Sequence, residues 1–207
     1  MATSDLRVRR TTGQAEAVTR GIHHLALTTE NMRTTTEFYV DVVGMKLVHT
    51  MKVPPGLATG SANRGNPPYE EIRHYFFDMG NDSLLAFFEI PAGEKPQTDR
   101  DAIGGMQHVA FSVTTERFDE IQSRLLQHRI DFDGPLDILP GMQSVYFYDP
   151  NGIRLEACCQ PADGEHQDVM GSVLQTKAQA LAELRTTGAD EAWLEAMTAN
   201  LSDDRAD

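Results

Sequence analysis

The chain has 207 residues, 40% of them hydrophobic and 24% charged, with a formal net charge of -13 at pH 7. That length suits one ordinary domain or two small halves sharing a core, and the composition excludes wholesale disorder. So acidic a chain is a poor match for nucleic acid or an anionic membrane, and no apolar run reaches the roughly 20 residues a spanning helix needs.

Residues 1–20 carry four Arg against two acids and read as an N-terminal arm. The opening MATSDLRVRRTTGQ has no apolar stretch behind its basic residues, so no secretory signal is expected. Only two cysteines exist, the adjacent Cys158 and Cys159. They form no disulfide framework and no CxxC metal clip, and they read as buried, inert thiols in a cytoplasmic protein.

The middle of the chain, 21–160, contains a repeat. Gly21-Ile-His-His24-Leu-Ala26-Leu-Thr28 recurs 84 residues later as Gly105-Met-Gln-His108-Val-Ala110-Phe-Ser112. In the first module, 21–92, a helix-like stretch through Phe38, Tyr39, Val42 and Val43 follows, then a strand-like Met45-Lys-Leu47-Val48. A Pro/Gly/Asn-rich segment, Lys52–Ile72, is either a surface insertion or a loop over a pocket. Beyond it HYFFDMGNDSLLAFFE predicts a hairpin turning at Gly80-Asn81-Asp82 and ending in Glu89.

The second module, 103–160, repeats that order: a helix through Phe118, Ile121, Leu125 and Leu126, a strand at Ile130-Asp-Phe132, and SVYFYDPNGIRLE turning at Asp149–Gly152 and ending in Glu156. Each module therefore reads strand–helix–strand–strand–strand. Residues 161–207, with ten acids against three bases, follow a turn-rich break. They read as an acidic helical extension that caps the domain or packs on a second subunit.

Alternation along a strand sends neighbouring side chains to opposite faces. His24, Ala26 and Thr28 share one face and His108, Ala110 and Ser112 share its counterpart, with Leu25, Leu27, Val109 and Phe111 behind them. The small Ala leaves room beside each imidazole. His23 has Gln107 as its counterpart and reads as non-ligating. A pseudo-two-fold relating the modules brings His24, Glu89, His108 and Glu156 toward one axis. Imidazoles and carboxylates without thiols suit one divalent ion: Fe2+, Mn2+, Ni2+, Co2+ or Zn2+.

GIHHLAL, FYVDVVGMKL, LLAFFE, GMQHVAFSV and YFYDPNGIRLEAC resemble the vicinal oxygen chelate superfamily: glyoxalase I, extradiol dioxygenases, methylmalonyl-CoA epimerase, and the bleomycin- and fosfomycin-resistance proteins. The resemblance covers about residues 21–160. It implies an α+β fold in which paired βαβββ modules form a curved eight-stranded sheet around a divalent metal, with the ligand positions falling on His24, Glu89, His108 and Glu156. It also implies a homodimer and a small-molecule substrate with vicinal oxygens.

The leading expectation is glyoxalase-like isomerase or lyase chemistry, in which Glu156 or Glu89 leaves the metal to act as base. The alternative is an extradiol ring-cleavage dioxygenase holding Fe(II) or Mn(II) with His24, His108 and Glu156, since Tyr146-x-x-Asp149-Pro150-x-Gly152-x-x-x-Glu156 matches that signature. A third reading is a binding protein that sequesters a drug or hydrophobe. Tyr146 is expected beside the reacting atoms, and His74, Phe87, Arg64 and Tyr69 along the substrate. Phe76, Phe77, Phe88 and Phe147 are expected in the core.

Overall fold

The computed structural model describes residues 19, 21–56, 67, 69–93, 99–139, 141–161 and 169–203. Apart from Thr19, the predicted N-terminal arm lies outside these residues, as do Arg64 and most of the Pro/Gly/Asn-rich segment.

Gly21–Val169 is one compact unit built from the two predicted modules. In the first, strand β1 (His24–Thr29) leads into helix α1 (Met32–Glu37), a π-helical turn (Phe38–Val42) and strands β2 (Lys46–Lys52), β3 (Arg73–Gly80) and β4 (Ser83–Glu89). The second repeats this with β5 (Val109–Ser112), α2 (Thr115–Gln127), β6 (Phe132–Leu139), β7 (Met142–Tyr148) and β8 (Arg154–Cys159). The eight strands divide into two four-stranded mixed sheets of matching order, β1-β4-β3-β2 and β5-β8-β7-β6. In each, the first strand pairs parallel with the last, and the other contacts are antiparallel. β1 and β5 are therefore edge strands.

Local chemistry explains these elements. Asn31 caps α1 by accepting from Thr34 N at 3.1 Å, and Thr114 caps α2 by accepting from Arg117 N at 3.3 Å. Asn81 and Asp82 both adopt positive φ, 50° and 59°, which is what a two-residue turn between twisted strands requires. Phe118, Ile121 and Leu125 lie on one face of α2 and are buried.

One core joins the two modules. Met32, Phe38, Tyr39 and Val42 of the first helical segment share one buried cluster with Phe118, Ile121 and Leu125 of α2, with Leu85 and Phe87 of β4, and with Leu155 and Ala157 of β8. Phe38 lies 6.4 Å from Phe147 across the module boundary. Leu25, Leu27, Val109 and Phe111 pack against this core, as alternation predicts, and His24, Ala26, Thr28, Ala110 and Ser112 are exposed on the opposite faces.

A second compact unit begins at Met170. Helix α3 (Val169–Val173) spans the division, followed by α4 (Lys177–Leu184), a 3₁₀ turn (Arg185–Thr187) and α5 (Glu191–Met197). Thr176 and Gln179 form a capping box for α4, and Gly188, at φ 78°, ends the turn before Asp190 caps α5. No helix among the described residues is long and apolar enough to cross a membrane.

Candidate metal centre

The second module assembles half of the expected site. His108, at the entrance to β5, places Nε2 2.9 Å from Oε2 of Glu156 on β8. Glu156 is 4% exposed and reaches this face because it pairs with Ala110, whose small side chain leaves the space open. Its other oxygen accepts from Ser144 Oγ at 2.5 Å, and Tyr146 hydrogen-bonds the same carboxylate. Burial, reinforced by that bond and by the Glu156 charge, raises the Tyr146 pKa, so the phenol stays protonated. Gln107 Oε1 accepts from His108 Nδ1 on the far side of the ring, which in the neutral imidazole leaves the Nε2 lone pair facing the carboxylate, the form a metal ligand needs.

This pair fits a divalent ion. With metal–ligand bonds of about 2.1 Å, neighbouring ligand atoms stand roughly 3 Å apart, close to the separation of His108 Nε2 and Glu156 Oε2. Imidazole and carboxylate donors without a thiol suit the ions predicted above.

The first module contributes differently. His24 is exposed on the open face of β1, and its Nδ1 lies 2.9 Å from Nδ1 of His23, the position that corresponds to Gln107. Among the described residues no three His, Cys, Asp or Glu side chains come together in a metal-binding group, so one chain does not gather the predicted quartet.

Glu89 requires a correction. Ala110 faces Glu156, and the equivalent Ala26 faces Ala86, so Ala86 is the counterpart of Glu156. Glu89 stands three residues further on, opposite Thr29, and an odd offset inverts the face. Its carboxylate accepts from Met32 N at 2.9 Å and pairs with Arg73, so it anchors the start of α1 and does not join His24 on the open face.

The same phase corrects Phe87. It is fully buried in the core behind the sheet, beside Tyr39 at 5.0 Å, and lines no site. Phe77 and Phe147 are core residues as expected, whereas Phe76 and Phe88 share the open face with His24 and are only half-buried. His74 joins them. It stacks on Phe88 with ring centroids 3.6 Å apart and rings parallel to 1°, and its Nδ1 donates to Phe87 O at 3.0 Å. A carbonyl can only accept, so the bond fixes the Nδ1–H form and leaves Nε2 as an acceptor. Burial, opposed by that bond, lowers the His74 pKa and keeps the ring neutral. Tyr69 is half-buried just beyond the segment outside the described residues.

Cys158 is half-buried and donates to Phe111 O at 3.6 Å, and burial pushes its pKa up to about 11. Neither it nor the buried Cys159 is an activated thiol. Ser144, Gln107 and Arg154 were not anticipated. Ser144 and Arg154 each lie two residues before a recognised site residue, Tyr146 and Glu156, and strand alternation could have found both.

A buried polar network holds the two modules together beneath the open faces. Thr29 Oγ1 donates to Asn151 Oδ1 at 2.7 Å, Asn151 Nδ2 reaches Asp149 Oδ2 at 2.9 Å, and Tyr39 OH donates to the same oxygen at 3.2 Å. The other Asp149 oxygen accepts from the backbone of Asn151 and Ile153, both at 2.8 Å. The Asp-Pro-Asn-Gly turn is thus tied to the first module as well as joining β7 to β8.

A family model described as the Glyoxalase/Bleomycin resistance protein/Dioxygenase superfamily matches residues 21–157. Among solved structures, a glyoxalase/dioxygenase from Nostoc punctiforme is 24% identical, with a TM-score of 0.52 over 74% of this chain and 99% of that one. A glyoxalase family protein from Enterococcus faecalis is 23% identical, with a TM-score of 0.51 over 67% and 97%. A fosfomycin resistance protein, FosX from Listeria monocytogenes, solved with Mn(II) and 1S,2S-dihydroxypropylphosphonic acid, is 18% identical, with a TM-score of 0.49 over 70% and 95%. These likenesses concern the fold.

Proposed function

The chain belongs to the glyoxalase/bleomycin resistance protein/dioxygenase superfamily, and from that premise we propose that it is a divalent-metal-dependent enzyme acting on a small substrate through two adjacent oxygens. The observation that carries this reading is the approach of His108 Nε2 to Glu156 Oε2 at 2.9 Å, with the carboxylate buried and held by Ser144. Buried ionisable pairs with fixed orientation are costly, and they cluster where chemistry is done.

The third ligand in this reading is His24 of the partner subunit. Among the described residues, the chain's own His24 and its His108–Glu156 pair form no metal-binding group with one another; His24 lies on the edge strand β1, and the pair joins the start of edge strand β5 to its neighbour β8. A two-fold homodimer joining β1 of one protomer to β5 of the other completes two equivalent sites. His74, Phe76 and Phe88 then line the substrate side opposite Tyr146.

A divalent ion held by two imidazoles and the Glu156 carboxylate would supply Lewis-acid polarisation of the substrate oxygens. Ser144 and Tyr146 hold Glu156 in one orientation, His74 Nε2 offers a neutral proton acceptor, and Phe76 and Phe88 exclude water. With Glu89 turned away, the carboxylate that glyoxalase-like isomerisation would use as a free base is missing. The remaining two-His, one-Glu set favours the second reading, extradiol-type cleavage of a catechol with Fe(II) or Mn(II).

Metal analysis after dialysis tests the site: about one ion per chain in the wild type and in Glu89→Gln, and none in His108→Ala or Glu156→Gln. Equal retention in all four proteins rejects it. Oxygen uptake by Fe(II)-loaded protein across a catechol panel then separates dioxygenase from isomerase chemistry.

A further inference from the structure

Arg154 has no role in the reading above, yet its environment is unusual. Arg33, Arg73, Arg100, Arg117, Arg124 and Arg185 each lie against a carboxylate. Among the described residues Arg154 does not, a feature it shares with Arg129, in a chain with a net charge of -13. Its guanidinium sits 4.2 Å from the centroid of the Tyr146 ring, and Nη1 donates to Gln107 Oε1 at 3.3 Å. The nearest acid along the strand is Glu156, whose oxygens are already engaged by His108, Ser144 and Tyr146.

Three features converge there. Arg154 is two residues before Glu156 on β8, so its side chain emerges on the same open face. A guanidinium carries five donors in a rigid fork, and here the aromatic ring beneath it holds the plane in place while most donors are unspent. Gln107 Oε1 accepts from both His108 Nδ1 and Arg154 Nη1, which sets the guanidinium beside the metal-site imidazole, and Arg154 also borders a cleft of about 660 Å³ whose lining includes Arg100, Glu30 and Asp99 but none of His24, His108, Tyr146 and Glu156. Arg100 is already committed, donating to Tyr148 OH at 2.6 Å and pairing with Asp101 at 3.5 Å. A volume of that order accepts a small molecule.

We infer that Arg154 is a specificity-determining residue that binds an oxyanion, a carboxylate in the first instance, on the substrate whose vicinal oxygens the metal site takes. This rests on the proposed metal site and narrows its substrates to anionic ones. An oriented, partly desolvated guanidinium meets a carboxylate with two parallel hydrogen bonds, and a neutral analogue leaves those donors unpaired.

The test uses Mn(II)-loaded full-length protein under anaerobic conditions and three probes sharing one pair of vicinal oxygens: catechol, 2,3-dihydroxybenzoate and 3,4-dihydroxybenzoate. Calorimetric titration of the wild type is expected to give at least one carboxylated probe roughly tenfold tighter binding than catechol. Arg154→Gln is expected to abolish that preference with catechol affinity and metal content unchanged, and Arg154→Lys to restore part of it. A wild type that binds no probe or shows no preference overturns the inference, as does an Arg154→Gln protein that keeps the preference or loses its metal. A wild type that cannot hold Mn(II) overturns the metal site itself, so the two failures are distinguishable.

Discussion

If the metal site is shared between protomers, two dead proteins can repair each other. His24→Ala removes the ligand that β1 offers to the neighbouring chain, and Glu156→Ala removes half of the pair on β8. Each homodimer then has two broken sites. In a mixed dimer, one site combines the intact His24 of the Glu156→Ala chain with the intact His108–Glu156 pair of the His24→Ala chain, and the other site lacks both. Random reassortment makes about half of all dimers mixed, each with one good site of two, so metal content returns to about a quarter of the wild-type value. The assay unfolds and refolds an equimolar mixture, dialyses it against Mn(II), and measures metal per chain by elemental analysis beside each variant refolded alone. Recovery to about a quarter supports the shared site. No recovery, with mixed dimers verified by differential tagging and native mass spectrometry, refutes it.

Two further predictions concern the network between modules. Asn151→Ala strips partners from the Thr29 hydroxyl and from one Asp149 oxygen, on residues 2% and 5% exposed, at an expected cost of about 3 kcal/mol. That corresponds to a fall in Tm of roughly 6–12 °C for a unit of this size, read by calorimetry, and a change below about 1 kcal/mol would mean the network is not stabilising. Asp149 has its pKa raised chiefly by burial, partly offset by its hydrogen bonds, so the folded protein binds this proton more tightly than the unfolded chain does. Its contribution to stability is greatest below the ordinary aspartate range and declines as pH rises through the raised value. The stability difference between wild type and Asp149→Asn, from urea unfolding, should therefore shift in favour of the wild type as pH falls, and the opposite trend would contradict the assignment.

The repeat made the fold readable because each module carries the same small set of signals: Gly three residues before His, Ala two residues after, and a polar turn before the last strand. Strand parity then placed His24, Ala26, His108 and Ala110 on the open faces. What parity could not supply was the pairing register between distant strands. Glu89 and Glu156 both follow apolar runs in the sequence, yet Glu89 is the last residue of β4 whereas Glu156 stands three residues before the end of β8, and only the pairing of Ala26 with Ala86 reveals the difference. The same uncertainty of phase in Leu-Leu-Ala-Phe-Phe put Phe87 on the wrong side and Phe88 in the core, since an unbroken apolar run does not announce which face is which.

Once the register is known, the duplicated modules prove to have diverged in a consistent direction. Where the second module has Glu156, Ser144, Tyr146 and Arg154 on its open face, the first has Ala86, Phe76 and Phe88 with the imidazoles of His24 and His74. One face is polar and charged, suited to holding an ion and an anionic group. The other is aromatic, with Phe76 and Phe88 beside two imidazoles, suited to covering a flat substrate and excluding water. Neither face can do both, and within one chain both point away from the shared core. In a homodimer of the proposed kind, pairing unlike faces across a two-fold axis would give each site one wall of each kind and would cover the edges of β1 and β5.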